Sequence, residues 1–170
     1  MIFVGLDPGY GRLGYGVVEE KGSSLKALEF GVFETPSTMP FEKRLVFVFD
    51  AVQELLSRHE CEEAAVETLY FSKNVKTAIG VAEARGVIRL ALAQLKVPVL
   101  EIQPVQLKLA LTGSGKADKK MVTRMVTRLL NLPAPPQPDD AADALALALT
   151  ALRSRNFRSL TQKALAKKRP

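Results

Sequence analysis

Three β-like runs crowd into the first 35 residues, before any helical pattern begins, and no other feature limits the fold as strongly. Ile2–Leu6, Gly14–Glu19 and Leu25–Thr35 are separated by the Pro8-Gly9 turn and the Lys21-Gly22-Ser23 turn, so they are expected to pair as an antiparallel meander. From Phe41 the period changes. Apolar residues at Phe41, Leu45, Val48, Phe49, Val52, Leu55 and Leu56 predict a helix over Phe41–Ser57. A short strand Ala64–Thr68, a long helix of about Thr77–Leu95 and a β-like run Val97–Ile102 follow. Pro104 opens a short helix to Leu111, and Gly113-Ser114-Gly115 breaks it. Further helices are expected from about Asp118 to Leu130, and from Asp139, a natural N-cap, to near Leu152. A meander followed by strands alternating with helices predicts an α/β fold, a mixed sheet with helices on its faces.

The 170 residues suit one domain, expected over 1–155, with 156–170 as a flexible basic C-terminal tail. No stretch of about 18 uninterrupted apolar residues is present, so no membrane-spanning helix and no membrane partner are expected. The opening MIFVGLDPG lacks the basic start of a signal peptide, and the single cysteine, Cys61, fits a reducing cytoplasm. With one cysteine and one histidine, His59, thiolate zinc sites and Ser-His-Asp chemistry are poor explanations for this chain.

The formal charge is +6, but it is unevenly spread. Residues 153–170 hold seven basic side chains and no acid, leaving 17 basic against 18 acidic in residues 1–152. A second basic stretch, Gln106–Arg128, carries Lys108, Lys116, Lys119, Lys120, Arg124 and Arg128 against Asp118 alone. A nearly neutral body with concentrated cations points to a polyanionic partner.

Several acids stand in apolar surroundings. Asp7 ends the apolar strand Ile2–Leu6, where a turn aspartate before Pro8-Gly9 is the ordinary alternative. Glu67 interrupts the apolar run Ala64-Ala65-Val66, opposite Val66 in strand alternation. Asp140 and Asp143 share one helix face at i and i+3, and an uncharged stretch to Thr150 follows, marking a helix packed into the core. Favourable charge at a helix start accounts for Asp139 and partly for Asp140, but not for Asp143, a turn further in. Acids brought together need cations. Oxygen donors without Cys or His select hard ions such as Mg²⁺ or Mn²⁺. An acidic metal cluster with basic flanks predicts metal-assisted hydrolysis of phosphodiesters, in which a two-metal arrangement would activate water and stabilise the leaving oxygen while the basic side chains hold the backbone.

The segments GLDPGYGRLGYGVVE, VETLYFSKN, AEARGV, QLKLALTGSGKADKKMV and DDAADALALALT, in this order over nearly the whole chain, resemble the RuvC-type Holliday-junction resolvases. The resemblance implies an RNase H-like fold with a five-stranded mixed sheet flanked by helices. It implies a homodimer that nicks two opposing strands of a four-way DNA junction in recombination and repair, with a branch-migration complex as a further partner. By this likeness the catalytic and metal-holding acids are Asp7, Glu67, Asp140 and Asp143, with two Mg²⁺ per site, replaceable by Mn²⁺. Lys108 and Lys119 match the family's DNA-contacting lysines, and charge adds Lys116 and Lys120. The aromatic that stacks on a base falls at Tyr70, with Phe71 adjacent; a core position is the alternative for either.

The chain also departs from the family pattern. Tyr10-Gly11-Arg12 stands where the family usually has Ser-Arg, which moves the arginine's DNA contact to Arg12. Some members carry histidine at the position of Asp140. Gly113-Ser114-Gly115-Lys116 is not a phosphate loop, because Ala110 and Ala117 replace the required Gly and Ser/Thr. Gly80, Ala82, Ala84 and Gly86 make Thr77–Leu95 a close-packing helix, at the dimer interface by family likeness or against the sheet otherwise. An RNase H-like nuclease acting on RNA and an inactive junction-binding module are the rival functions.

Overall fold

A computed structural model describes residues 1–9, 11–68 and 75–166, without the side chains of 75–77 and 160–166. The meander forms as expected: β1 (Ile2–Asp7), β2 (Arg12–Lys21) and β3 (Ser24–Glu34) pair antiparallel. Two parallel strands extend it, β4 (Glu63–Glu67) beside β1 and β5 (Val99–Ile102) beside β4. The result is one five-stranded mixed sheet in the order β3-β2-β1-β4-β5. The helices are α1 (Phe41–Ser57), α2 (Val75–Gln94), α3 (Pro104–Thr112), α4 (Lys119–Leu129) and α5 (Asp139–Ala166).

Strand alternation divides the apolar residues between two cores. Val4, Leu6, Val17, Ala64 and Val66 face α1 and α2, packing on Val52, Leu55, Ile88 and Leu92. Phe3, Val18 and Ala65 face the other way, onto Leu145, Ala148 and Leu149 of α5 and onto α3 and α4. By the same alternation Asp7 lies on the face of Phe3, and Glu67 on the face of Ala65. Both carboxylates therefore point to the α5 side, at the carboxyl ends of neighbouring parallel strands, where open α/β sheets place their ligands.

Two glycines set how closely α5 approaches. A Cβ on Gly5 would lie 1.9 Å from the Ala144 carbonyl oxygen, and one on Gly14 would lie 2.3 Å from that of Asp140. The helix backbone rests directly on β1 and β2 at these points, so the carboxylates of α5's first turns reach the end of β1.

The last helix differs from expectation at both ends. It continues to Ala166 rather than ending near Leu152. Polar side chains just after Leu152 are anchored: Arg155 pairs with Glu62, Arg158 pairs with Glu63, and the Asn156 amide donates to Glu20. Asp139 is the first helical residue instead of the cap, and its carboxylate faces Lys119 at 3.3 Å. The amides at the helix start favour a carboxylate at this point, but the Lys119 ammonium from α4 competes for it.

Candidate active site

Glu67 reaches the site because β4 runs parallel to β1 in a fixed register. Leu6 pairs with Val66, so the next residues, Asp7 and Glu67, stand side by side where both strands end. Asp143 comes from the second turn of α5, and Lys119 from the first turn of α4, which Asp118 caps by accepting from the Met121 amide at 2.7 Å. These four side chains, with Lys108 of α3, line a cleft of about 260 Å³ floored by Leu107, Val122 and Leu147.

The electrostatics are those of crowded carboxylates. Burial, then the charges of Glu67, Asp143 and Asp140, push the Asp7 carboxyl up to about 7, against a smaller opposing effect of Lys119. Burial and the neighbouring Asp143 also raise Glu67. The Lys119 ammonium bonds to Asp143 Oδ2 at 2.9 Å; burial opposes its charge, but Asp143 and Asp139 outweigh that and raise its pKa. Among the described residues no three His, Cys, Asp or Glu side chains converge as a finished ligand cage. The donor set nevertheless suits a divalent ion. It is all carboxylate oxygen, and its partly buried charges repel each other, which a hard cation relieves.

Asp140 takes a different place from the other three acids. It adds to the charge felt by Asp7, but it does not line the cleft, and its Oδ2 lies 3.4 Å from Arg12 Nε. Arg12 also faces Glu34 at 3.5 Å. Lys116 and Lys120 are exposed outside the cleft on the same α3–α4 side. Tyr70 and Phe71 lie outside the described residues. The apolar floor of Leu107, Val122 and Leu147 was not anticipated, because the apolar faces of α3, α4 and α5 read equally well as ordinary core.

A family model described as crossover junction endodeoxyribonuclease RuvC matches residues 3–151. The chain belongs to the RuvC family. It is 47% identical to the RuvC of Thermotoga maritima over 161 residues, covering 94% of this chain and 96% of that one. It is 49% identical to the RuvC of Thermosipho melanesiensis over 148 residues, 87% and 94% of the two chains. The Thermus thermophilus RuvC structure in complex with a Holliday junction substrate superposes with a TM-score of 0.88 at 37% identity, over 92% and 96% of the chains. The fold is thus RNase H-like, as the sequence resemblance implied, and the five-stranded mixed sheet of a RuvC-family nuclease is what brings Asp7 and Glu67 together.

Proposed function

We infer that the chain is a crossover junction endodeoxyribonuclease, a metal-dependent hydrolase that resolves Holliday junctions. The single observation that carries this reading is the meeting of Asp7, Glu67 and Asp143 in one cleft of a RuvC-family fold, with Lys108 and Lys119 on its wall. The family match does not favour the rival readings, an RNA-acting nuclease or an inactive junction binder.

Asp7, Glu67 and Asp143 would hold the metal, with Asp140 completing the set once Arg12 turns from it to DNA. We assign Mg²⁺, two ions per site, with Mn²⁺ as a substitute. When bound, such ions activate water and stabilise the leaving oxygen of an in-line displacement that yields 5′-phosphate and 3′-hydroxyl ends. The rest falls to the chain's own side chains. Lys119, released from Asp143, and Lys108 bind the phosphodiester backbone at the cleft, and Lys116, Lys120 and Arg12 hold the strand on either side. Tyr70 or Phe71, on the segment following Glu67, stacks on a base at the junction centre.

The partners follow from symmetry. A two-fold junction calls for a two-fold enzyme, and the outward face of α2 offers Ile79 (54% exposed) and Leu90 (53% exposed) around Gly86, whose missing side chain faces open space. We place the homodimer contact there, the branch-migration complex as a further partner, and the site of action in the cytoplasm. No described helix is long and apolar enough to cross a membrane. The single domain is proposed over 1–155, with the basic segment 156–170 beginning as a continuation of α5 whose Asn156 and Arg158 stay tied to Glu20 and Glu63.

The test is a synthetic four-way junction incubated with Mg²⁺ or with EDTA and read at nucleotide resolution. Paired symmetric nicks with Mg²⁺ and none with EDTA are expected. Nicking in EDTA, or Asp7→Asn nicking at the wild-type rate, overturns the mechanism.

A further inference from the structure

Arg85 belongs to the AEARGV segment and lies outside the lining of the cleft. Its side chain, 15% exposed, reaches from α2 to the ends of β4 and β5. There Nε donates to the backbone carbonyl of Glu67 at 3.2 Å. Nη2 is shielded from solvent and lies 2.7 Å from Glu101 Oε2, an ion pair set off the line of a hydrogen bond. Arg89, one turn along α2, pairs with the other oxygen of Glu101.

Glu67 is the last residue of β4, and the β1 ladder beside it ends at Leu6↔Val66. On the β5 side the Thr68 amide donates to the Ile102 carbonyl at 2.9 Å. Strand ends fray when their backbone groups lack partners, and a shift of about 1 Å at a reacting group can cost roughly a hundredfold in rate. Arg85 supplies a donor at this point. Its planar fork can address the carbonyl and Glu101 at once, which an ammonium cannot do. Its charge is met by Glu101, while the Glu67 carboxyl responds to Asp143 and Lys119. The guanidinium thus grips the Glu67 backbone without competing for its carboxylate.

We propose that Arg85 is a positioning residue for the nicking reaction, clamping the Glu67 carbonyl so that the carboxylate is held in line with Asp7 and Asp143. This rests on the reading of Glu67 as a metal ligand. Three variants test it. Arg85→Met, which keeps the aliphatic stem, is expected to slow single-turnover junction nicking about tenfold or more and to weaken Mn²⁺ binding, measured by calorimetry without DNA, about fivefold. Its junction affinity in EDTA and its Tm stay near wild type. Arg85→Lys recovers part of both losses, and Arg89→Ala, which removes a charge from the same helix, stays within about twofold.

The proposal is overturned if Arg85→Met matches wild type in rate and Mn²⁺ affinity, if its losses track a fall in Tm, or if Arg89→Ala reproduces them. Should Arg85→Met fail to fold, Arg85→Lys decides: lowered rate and Mn²⁺ affinity at unchanged Tm support the clamp, and wild-type values overturn it. Glu67→Gln separates the two levels. If Glu67→Gln nicks normally, the ligand reading itself falls; if it is inactive while Arg85→Met is normal, only the clamp falls.

Discussion

At the scale of single residues the cleft is a place where ionisation costs stability. Asp7 ionises near 7 because burial and three neighbouring carboxyls disfavour its charge. The folded state therefore holds this proton more tightly than the unfolded chain, so the Asp7 contribution to stability falls as pH rises from about 4 to about 7 and is flat above. In EDTA, Asp7→Asn should be the more stable protein at pH 8, by about 2 kcal/mol, with the gap closing toward pH 5. Thermal melts of both proteins across that range check this, and a gap independent of pH would count against it. Adding Mg²⁺ at pH 8 should raise the Tm of wild type more than that of Asp7→Asn, because the ion replaces the repulsion that the substitution removes. Equal rises would place the ion elsewhere. Cys61, by contrast, is pushed up to about 11 by burial and stays an unreactive thiol.

At the scale of elements, α5 is the part that builds the site, and it is seated by contacts at two distant points. Near its start the backbone lies against Gly14, where a methyl group has no room. Gly14→Ala should cost about 1–3 kcal/mol and should slow nicking by displacing Asp140 and Asp143 together. Urea melts and nicking rates are the readouts, and an active, stable variant would show that the helix can lift without harm. Near its far end Arg158 pairs with Glu63, whose side chain is only 13% exposed. Arg158→Ala leaves that largely buried carboxylate without its cation and should cost about 1–2 kcal/mol, while junction nicking at moderate temperature persists. Loss of nicking at full stability would instead give this end of α5 a direct role in catalysis.

At the scale of the whole molecule, two nicks on opposing strands demand two cleavage sites in a fixed relation. If the proposed homodimer is built on the exposed face of α2, Leu90→Glu should yield monomers in sedimentation and abolish paired nicking, leaving the cleft lining intact. A variant that stays dimeric would move the interface elsewhere. In the proposed function, binding is the work of the cations. Lys116→Ala and Lys120→Ala together should lower junction affinity and reduce the salt slope by about 2, if each lysine meets a phosphate. A slope equal to wild type would show that neither does.

What the sequence determined by itself is what depends on local order: where strands and helices lie, which face of each is apolar, and which acids break an apolar run. Asp7 after Ile2–Leu6 and Glu67 after Ala64–Val66 were legible because a carboxylate at the end of a buried strand has few structural uses. Their meeting was implied only by the family resemblance, since it requires β4 to pair parallel with β1 in a register that local pattern does not encode. The tertiary structure alone decided that Asp139 faces Lys119 instead of capping its helix, that Asp140 turns to Arg12, and that α5 runs on to Ala166. The first two are ion pairs between residues far apart in sequence, and the extension of α5 is held by two more, Arg155–Glu62 and Arg158–Glu63. Coulomb attraction is decided by distance in space, which only the packed fold sets.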